Sequence, residues 1–327
     1  MSEEVQAIEA TPLTRGIPVL PDVRMHLHTP ASPGVGVIVS NERCTASAKA
    51  AAFVRHIVID MSRTALAGSF VSGQSFGVLP PGIDAKGRPH QLRLYSIASP
   101  TRGEDGQGLH LATTVKRTIE ELPDTHRLYL GVASNYLCDL QPGDEIKVTG
   151  PNGKRFVLPV DHGAHDYLFM ATGTGIAPFR GMVLDLLAQD SPSRITLVMG
   201  SPYASDLIYH HEFLALQERH PRFRYLPAIS RERQADASPP MYVHDHLVRS
   251  RDLLIPMLES ERTLIYVCGI AGMELGLLQK LARCLPPSAL EKYLTADAQT
   301  LGEVDTWTRR MLHKQVKPTR RVFLEVY

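Results

Sequence analysis

No stretch of this 327-residue chain holds the roughly eighteen consecutive apolar residues of a bilayer-spanning helix. The opening residues, MSEEVQAIEATPLTRG, are acidic. They have neither the basic-then-apolar pattern of a secretion signal nor the Arg/Ser-rich, acid-poor composition of a transit peptide. A cytoplasmic location is expected. Neither sign of charge dominates, with 35 Lys and Arg against 34 Asp and Glu. That balance argues against a nucleic-acid or membrane-surface partner. The four cysteines, Cys44, Cys138, Cys268 and Cys284, lie far apart with no C-x-x-C pair, so neither a zinc site nor an iron–sulfur cluster is encoded. His210–His211, His162 with His165, and His244 with His246 lack a cysteine or carboxylate cluster to complete a ligand set. No resident metal is expected.

What is present is two kinds of order. Residues 1–35 carry Pro12, Pro18, Pro21, Pro30 and Pro33 and read as an extended arm. From 36 to 162, short apolar runs are broken by Gly and Pro: GVGVIVS, FVRHIVIDM, QSFGVLP, LRLYSIA, LHLATTVK, RLYLGVA and DEIKVTGP. Such spacing predicts an antiparallel β-barrel or sandwich. From 163 to 327, strand-like runs (YLFMA, RITLVMG, FRYLPAIS, TLIYVCG, RVFLEVY) alternate with helical ones, including one expected over roughly 299–314. That grammar predicts a doubly wound parallel sheet. Ligands of such sheets sit beyond the carboxyl ends of the strands, which puts Glu325 and Tyr327 near a cleft.

Five stretches have chemistry to offer, each with a plainer reading beside it. In MATGTGIAPFR, Gly173 and Gly175 follow a buried strand and precede a helix, where free N–H groups attract a pyrophosphate. Pro178 suits the first helical turn. The alternative is an ordinary tight turn. In LRLYSIAS, Arg93 offers a donor fork, Tyr95 a flat ring and Ser96 a hydroxyl, yet a half-exposed strand reads the same. In GVASNYLCDL, Gly131 and Ser134–Asn135 cap a short helix that could hold an anion or be merely structural. In AISRERQ with PPMYVH, Ser230 and Arg231 suit a phosphate and Tyr242 an adenine, although solvated loop charges are common. In YVCGIAGMELG, Cys268 ends an apolar strand beside two glycines; a buried cysteine is most often a small hydrophobe.

Together and in this order, these stretches resemble the plant-type ferredoxin–NADP reductase family over about three-quarters of the chain, from GQSFGVLPPGIDAKGRPHQLRLYSIAS to the terminal EVY. The resemblance implies an FAD-binding β-barrel domain and an NADP-binding α/β domain. It implies Arg93, Tyr95, Ser96, Val115, Lys116, Ser134 and Tyr327 for FAD. It implies Thr174, Gly175, Pro178, Ser230, Arg231 and Tyr242 for NADP(H). Ser96, Cys268, Glu325 and Tyr327 become the catalytic set, with the last ring covering the flavin and moving aside for the nicotinamide. The implied enzyme passes electrons between NADPH and a one-electron iron–sulfur carrier such as ferredoxin. A monomer with a basic docking face is expected, its candidates Arg43, Lys49, Lys86, Arg88 and Arg117.

Three positions depart from the family pattern. Glu120 stands where an adenine-stacking Tyr is common, with Tyr129 as a substitute. Ala133 replaces a Cys, and Pro240 replaces a Lys beside the 2′-phosphate site. Two other functions share these motifs: the reductase component of an oxygenase, and a catalytically silent flavin-binding scaffold. Retention of Ser96, Cys268, Glu325 and Tyr327 argues against the second.

Overall fold

In the computed structural model, residues 17–189 and 191–327 are described. The chain opens with five strands, β1 (Gly34–Arg43), β2 (Val54–Asp60), β3 (Ser75–Val78), β4 (Arg93–Ser96) and β5 (His110–Lys116). A small hairpin, β6 (Ile119–Glu121) with β7 (Leu128–Leu130), then leads into helix α1 (Val132–Asp139) and strand β8 (Glu145–Asn152). The six long strands form one antiparallel sheet in the order β4-β3-β8-β1-β2-β5. A bridge between Ile97 and Thr113, with Ala98 N–H donating to the Ala112 carbonyl at 2.7 Å, joins the two ends and closes the sheet into a barrel. Closure removes the edges that an open sheet would expose. Ile57, Ile59, Phe76, Leu111, Val115 and Val148 fill its core.

The second half runs β9 (Asp166–Thr172), α2 (Ile176–Ala188), β10 (Ile195–Ser201), α3 (His210–Arg219), β11 (Phe223–Ile229), α4 (His246–Arg249), α5 (Arg251–Glu259) and β12 (Thr263–Gly269). It continues with α6 (Met273–Cys284), α7 (Pro287–Leu290), β13 (Leu294–Thr295), α8 (Ala298–Gly302), β14 (Lys317–Pro318) and β15 (Val322–Val326). The sheet is parallel, in the order β11-β10-β9-β12-β15. β10 and β12 are buried at every position, as expected of strands covered by helices on both faces. Two apolar cores result, one on each side of this sheet. The strand order reverses between β9 and β12, which makes their carboxyl ends the switch point where ligands of such folds bind.

Two expectations need adjusting. Of the extended arm, residues 1–16 lie outside the described residues. Residues 17–33 follow the barrel without forming a helix, and β1 begins two residues early, at Gly34. His26 N–H donates to the Pro151 carbonyl and Val160 N–H to that of Val19. The helical stretch over 299–314 is not continuous: α8 stops at Gly302, and only single 3₁₀ turns at 304–306 and 309–311 follow. Gly302 favours termination, and Trp307 turns inward, its indole N–H donating to the Thr300 carbonyl at 2.9 Å.

Candidate active site

The switch-point crevice is assembled from three strand ends. After β9 the chain turns through Gly173–Gly175, with Gly173 at φ 54°. A Cβ on Gly175 would lie 2.2 Å from the Cys268 carbonyl oxygen, so only glycine lets this turn lie against the end of β12. Gly269 answers from the other side: at φ 146°, its Cβ would meet Thr172 Oγ1 at 2.1 Å. Thr172 Oγ1 accepts from Ile270 N–H at 2.9 Å and holds the loop after β12 in place.

β15 pairs with β12 so that Glu325 sits opposite Cys268. Tyr327 N–H donates to the Gly269 carbonyl, and the Tyr327 carbonyl accepts from Ala271 N–H, both at 3.0 Å. Tyr327 is therefore tied down through its main chain, while the residue as a whole stays 64% exposed. Its hydroxyl lies 2.8 Å from Thr174 Oγ1. The fold thus gathers Thr174, Gly175, Cys268, Glu325 and Tyr327, residues from three distant segments. Cys268 is fully buried. Burial first, and then Glu325, pushes its thiol well above the ordinary range, so it is a neutral thiol and not a nucleophilic thiolate. Burial also raises the Glu325 carboxyl, whose Oε2 is buried without a hydrogen-bond partner among the described residues.

The barrel contributes a second cleft of ≈ 550 Å³, lined by Asp84, Arg88, Arg93, Tyr95, Thr118, Tyr129 and Gly131–Ser134 among others. Arg93 and Lys116 are exposed, while Val115 points its side chain into the barrel core and can present only main chain. Ser134 Oγ accepts from Thr118 N–H and donates to the Gly131 carbonyl, both at 3.2 Å. It therefore braces the loop as well as lining the cleft. No side chain caps the first N–H groups of α1, which leaves them for an anion. Tyr129 and Val132 are exposed apolar groups of the cleft lining. Free helix N–H groups, an exposed guanidinium and apolar walls are the donor set that a flavin dinucleotide needs. Tyr129 belongs to the cleft lining, whereas Glu120, its cross-strand partner on the β6–β7 hairpin, does not.

Ser230 and Arg231 follow β11, and Met241 N–H donates to the Ile229 carbonyl at 2.8 Å, which brings the segment bearing Tyr242 alongside. Ser230 N–H donates to the Ser201 carbonyl and Arg231 N–H to that of Pro202, both at 3.0 Å. Tyr242 is exposed and stacks on His244, with ring centres 5.8 Å apart and planes at 20°. Arg233 donates to the Ala237 carbonyl and Arg249 pairs with Asp236, so neighbouring cations are engaged elsewhere. Of the expected docking cations, Arg43 and Arg117 share the Phe53 ring with Arg55, at 5.0–5.4 Å. Arg88 pairs with Asp84 beside the cleft, and Lys49 and Lys86 are exposed.

Reasoning from motifs gave no role to Arg180, Thr118 or His244. Arg180 offered one signal: it and Asp185 are the only charges in the apolar helix α2.

Comparisons with known proteins agree with this picture. Residues 169–277 match the family model described as oxidoreductase NAD-binding domain. A ferredoxin–NADP reductase of Spirulina sp is 36% identical over 262 residues, 78% of this chain and 88% of its own. The cyanelle ferredoxin–NADP reductase of Cyanophora paradoxa is 36% identical over 287 residues, 86% of this chain and 76% of its own. Among solved structures, the ferredoxin–NADP+ reductase of Plasmodium falciparum superposes with a TM-score of 0.67 at 22% identity, covering 92% of this chain and 98% of the other.

Proposed function

The chain belongs to the plant-type ferredoxin–NADP reductase family, and from that premise we propose how its own residues divide the work. The protein is an oxidoreductase that moves electrons between NADPH and ferredoxin. The family implies FAD and NADP binding. When bound, FAD supplies a ring that exchanges hydride with a nicotinamide and single electrons with an iron–sulfur carrier.

Arg93 and the open N-terminus of α1 take the FAD pyrophosphate, with Ser134 holding that loop in shape. Tyr95 would hold the flavin ring, and the main chain at Val115 and Lys116 the linker. Tyr129 stacks on the adenine, in the role that Glu120 cannot fill. Thr174, Gly175 and Pro178 admit the nicotinamide half of NADP(H). Ser230 and Arg231 read its 2′-phosphate, and Tyr242 carries its adenine. Ser96 orients the reacting edge of the flavin. Cys268, held as the neutral thiol, adds no fixed charge to the nicotinamide pocket, and burial raises the Glu325 carboxyl beside it. Tyr327 covers the ring until the nicotinamide displaces it, which shields the site from water and assists release. A carrier bearing acidic groups would approach the cations outside this crevice.

One observation carries this reading. A Gly-lined turn, a buried thiol, a carboxyl whose Oε2 has no hydrogen-bond partner among the described residues, and the Tyr327 ring adjoin one another at the strand-order reversal. The test is rapid-mixing reduction by NADPH and by NADH, followed by ferredoxin. A yellow protein bleached faster by NADPH and recoloured by oxidised ferredoxin is expected. A colourless protein, or a yellow one that NADPH does not bleach, would defeat the proposal.

A further inference from the structure

The guanidinium of Arg180 joins the two halves of the molecule. Arg180 is only 8% exposed. Its Nη1 donates to the Ala98 carbonyl at 3.1 Å and to Glu104 Oε1 at 2.6 Å. Its Nη2 reaches Glu104 Oε2 at 3.2 Å, and its Nε reaches Glu212 Oε2 at 2.8 Å. The guanidinium carbon lies 5.1 Å from the centre of the Tyr209 ring. Ala98 and Glu104 belong to the barrel side, Glu212 and Tyr209 to the α/β side. Tyr209 crosses in the other direction: its hydroxyl is 2.8 Å from His56 Nδ1 on β2 and 2.5 Å from Thr114 Oγ1 on β5. Burial works against the charge on Arg180, but Glu212, Tyr209 and Glu104 outweigh it and keep the group ionised.

The placement of this cluster suggests more than adhesion. Ala98 follows Ser96 by two residues, and the Ser96 carbonyl is itself held by Thr113 Oγ1 at 2.9 Å. Gly181, next to Arg180, sits so close to the barrel that a Cβ there would meet the Ser99 carbonyl oxygen at 2.3 Å. At its other end, α2 starts from the Gly173–Gly175 turn that rests on Cys268. One short helix therefore links the nucleotide turn to the end of the strand bearing Ser96. Interfaces between domains of one chain are commonly mobile; a buried five-donor fork shared by both sides removes that freedom.

We propose that Arg180 is a positioning residue for hydride transfer, fixing the Ser96 strand end against the Gly173–Gly175 turn so that nicotinamide and flavin meet at reacting distance. The inference rests on the function proposed above. In the transfer, a C–H bond of the nicotinamide breaks and an N–H bond forms on the flavin, with both electrons and the proton moving together. Such steps need the reacting atoms at about 3–3.5 Å, and a misplacement of about 1 Å costs about a hundredfold. A lysine offers a point charge and cannot bridge Glu104, Glu212 and Ala98 at once.

The test compares the wild-type holoprotein with R180Q, R180K, E104Q and R180Q/E104Q. It records the hydride-transfer rate constant, the long-wavelength charge-transfer absorbance, the NADP+ dissociation constant and the melting temperature. R180Q should slow hydride transfer by about ten- to a hundredfold and weaken the charge-transfer band, with the NADP+ dissociation constant changed far less. E104Q should shift the same two signals in the same direction, and R180Q/E104Q should be no slower than R180Q. R180K should recover less than half of the logarithmic loss. Hydride transfer and charge-transfer absorbance at wild-type values in R180Q, with only the melting temperature lowered, would overturn the proposal. If R180Q does not fold, E104Q and R180K decide on the same signals. A wild-type protein that NADPH fails to reduce would count against the function itself, not against this role of Arg180.

Discussion

At the scale of single residues, the 2′-phosphate site proposed at Ser230 and Arg231 is leaner than its sequence surroundings suggest. Arg233 and Arg249 lie near Ser230 and Arg231 along the chain, yet both are occupied by local partners. Pro240 supplies no charge. On the proposed reading, selectivity falls on Arg231. Replacing it with alanine should cut the ratio of NADPH to NADH efficiency by about ten- to a hundredfold, the worth of about 1.5–3 kcal/mol for a hydrogen bond to a charged group. Steady-state kcat/KM with each nucleotide measures this, and an unchanged ratio would move the phosphate site elsewhere. Tyr327 makes the opposite kind of prediction. Its main chain is held by Gly269 and Ala271, so removing only the ring, as in Tyr327→Ser, should leave the fold intact. Loss of one stacked aromatic, about 1 kcal/mol, should tighten NADP+ binding several-fold and intensify the charge-transfer colour. Wild-type affinity and colour would rule out a covering role.

At the scale of elements, helix α2 shows packing overruling propensity. Ala is favoured over Gly inside a helix by about 1 kcal/mol, so Gly181→Ala would stabilise a free α2. In the folded chain the added Cβ would press on the Ser99 carbonyl, and overpacking of this kind costs about 1–3 kcal/mol. Urea unfolding should therefore show Gly181→Ala less stable than wild type; a gain would mean that α2 does not press on the barrel. The β6–β7 hairpin makes a similar point about register. Tyr129, the cross-strand partner of Glu120, is the aromatic group this hairpin brings to the cleft lining. Tyr129→Ala should weaken FAD retention by about 1–3 kcal/mol, the usual worth of a base stacked on an aromatic ring, read as flavin released on dilution. Unaltered retention would remove Tyr129 from the adenine site.

At the scale of the whole molecule, the domain interface carries a pH dependence. His56 is held in its neutral form, its pKa lowered from 6.5 to about 3, chiefly by burial and then by Arg180. Between those two values the unfolded chain binds one more proton than the folded one, so stability rises with pH in that window. This contribution is complete above pH 6.5 and is lost as the pH falls toward 3. The slope approaches about 1.4 kcal/mol per pH unit. His56→Asn should flatten the stability profile between pH 5 and pH 6.5, measured by denaturant unfolding; parallel profiles would show that His56 does not titrate across the interface. Among the described residues no helix is long and apolar enough to cross a membrane.

The sequence by itself determined the two architectures and the local character of each motif, because both are short-range properties. Alternating and continuous apolar runs distinguish half-exposed barrel strands from buried parallel ones, and Gly173–Thr174–Gly175 between a strand and a helix suits a phosphate turn, with an ordinary tight turn as its alternative. Its resemblance to a known family also joined EVY to the distant Arg93–Ser96 stretch. The tertiary structure alone decided which groups touch. Contacts such as Arg180 with Glu104 and Glu212, Tyr209 with His56 and Thr114, and Thr174 with Tyr327 span 32–153 positions of sequence. No local period encodes them. The break in the helix expected over 299–314 belongs to the same class, since the inward turn of Trp307 to Thr300 is set by the core it enters.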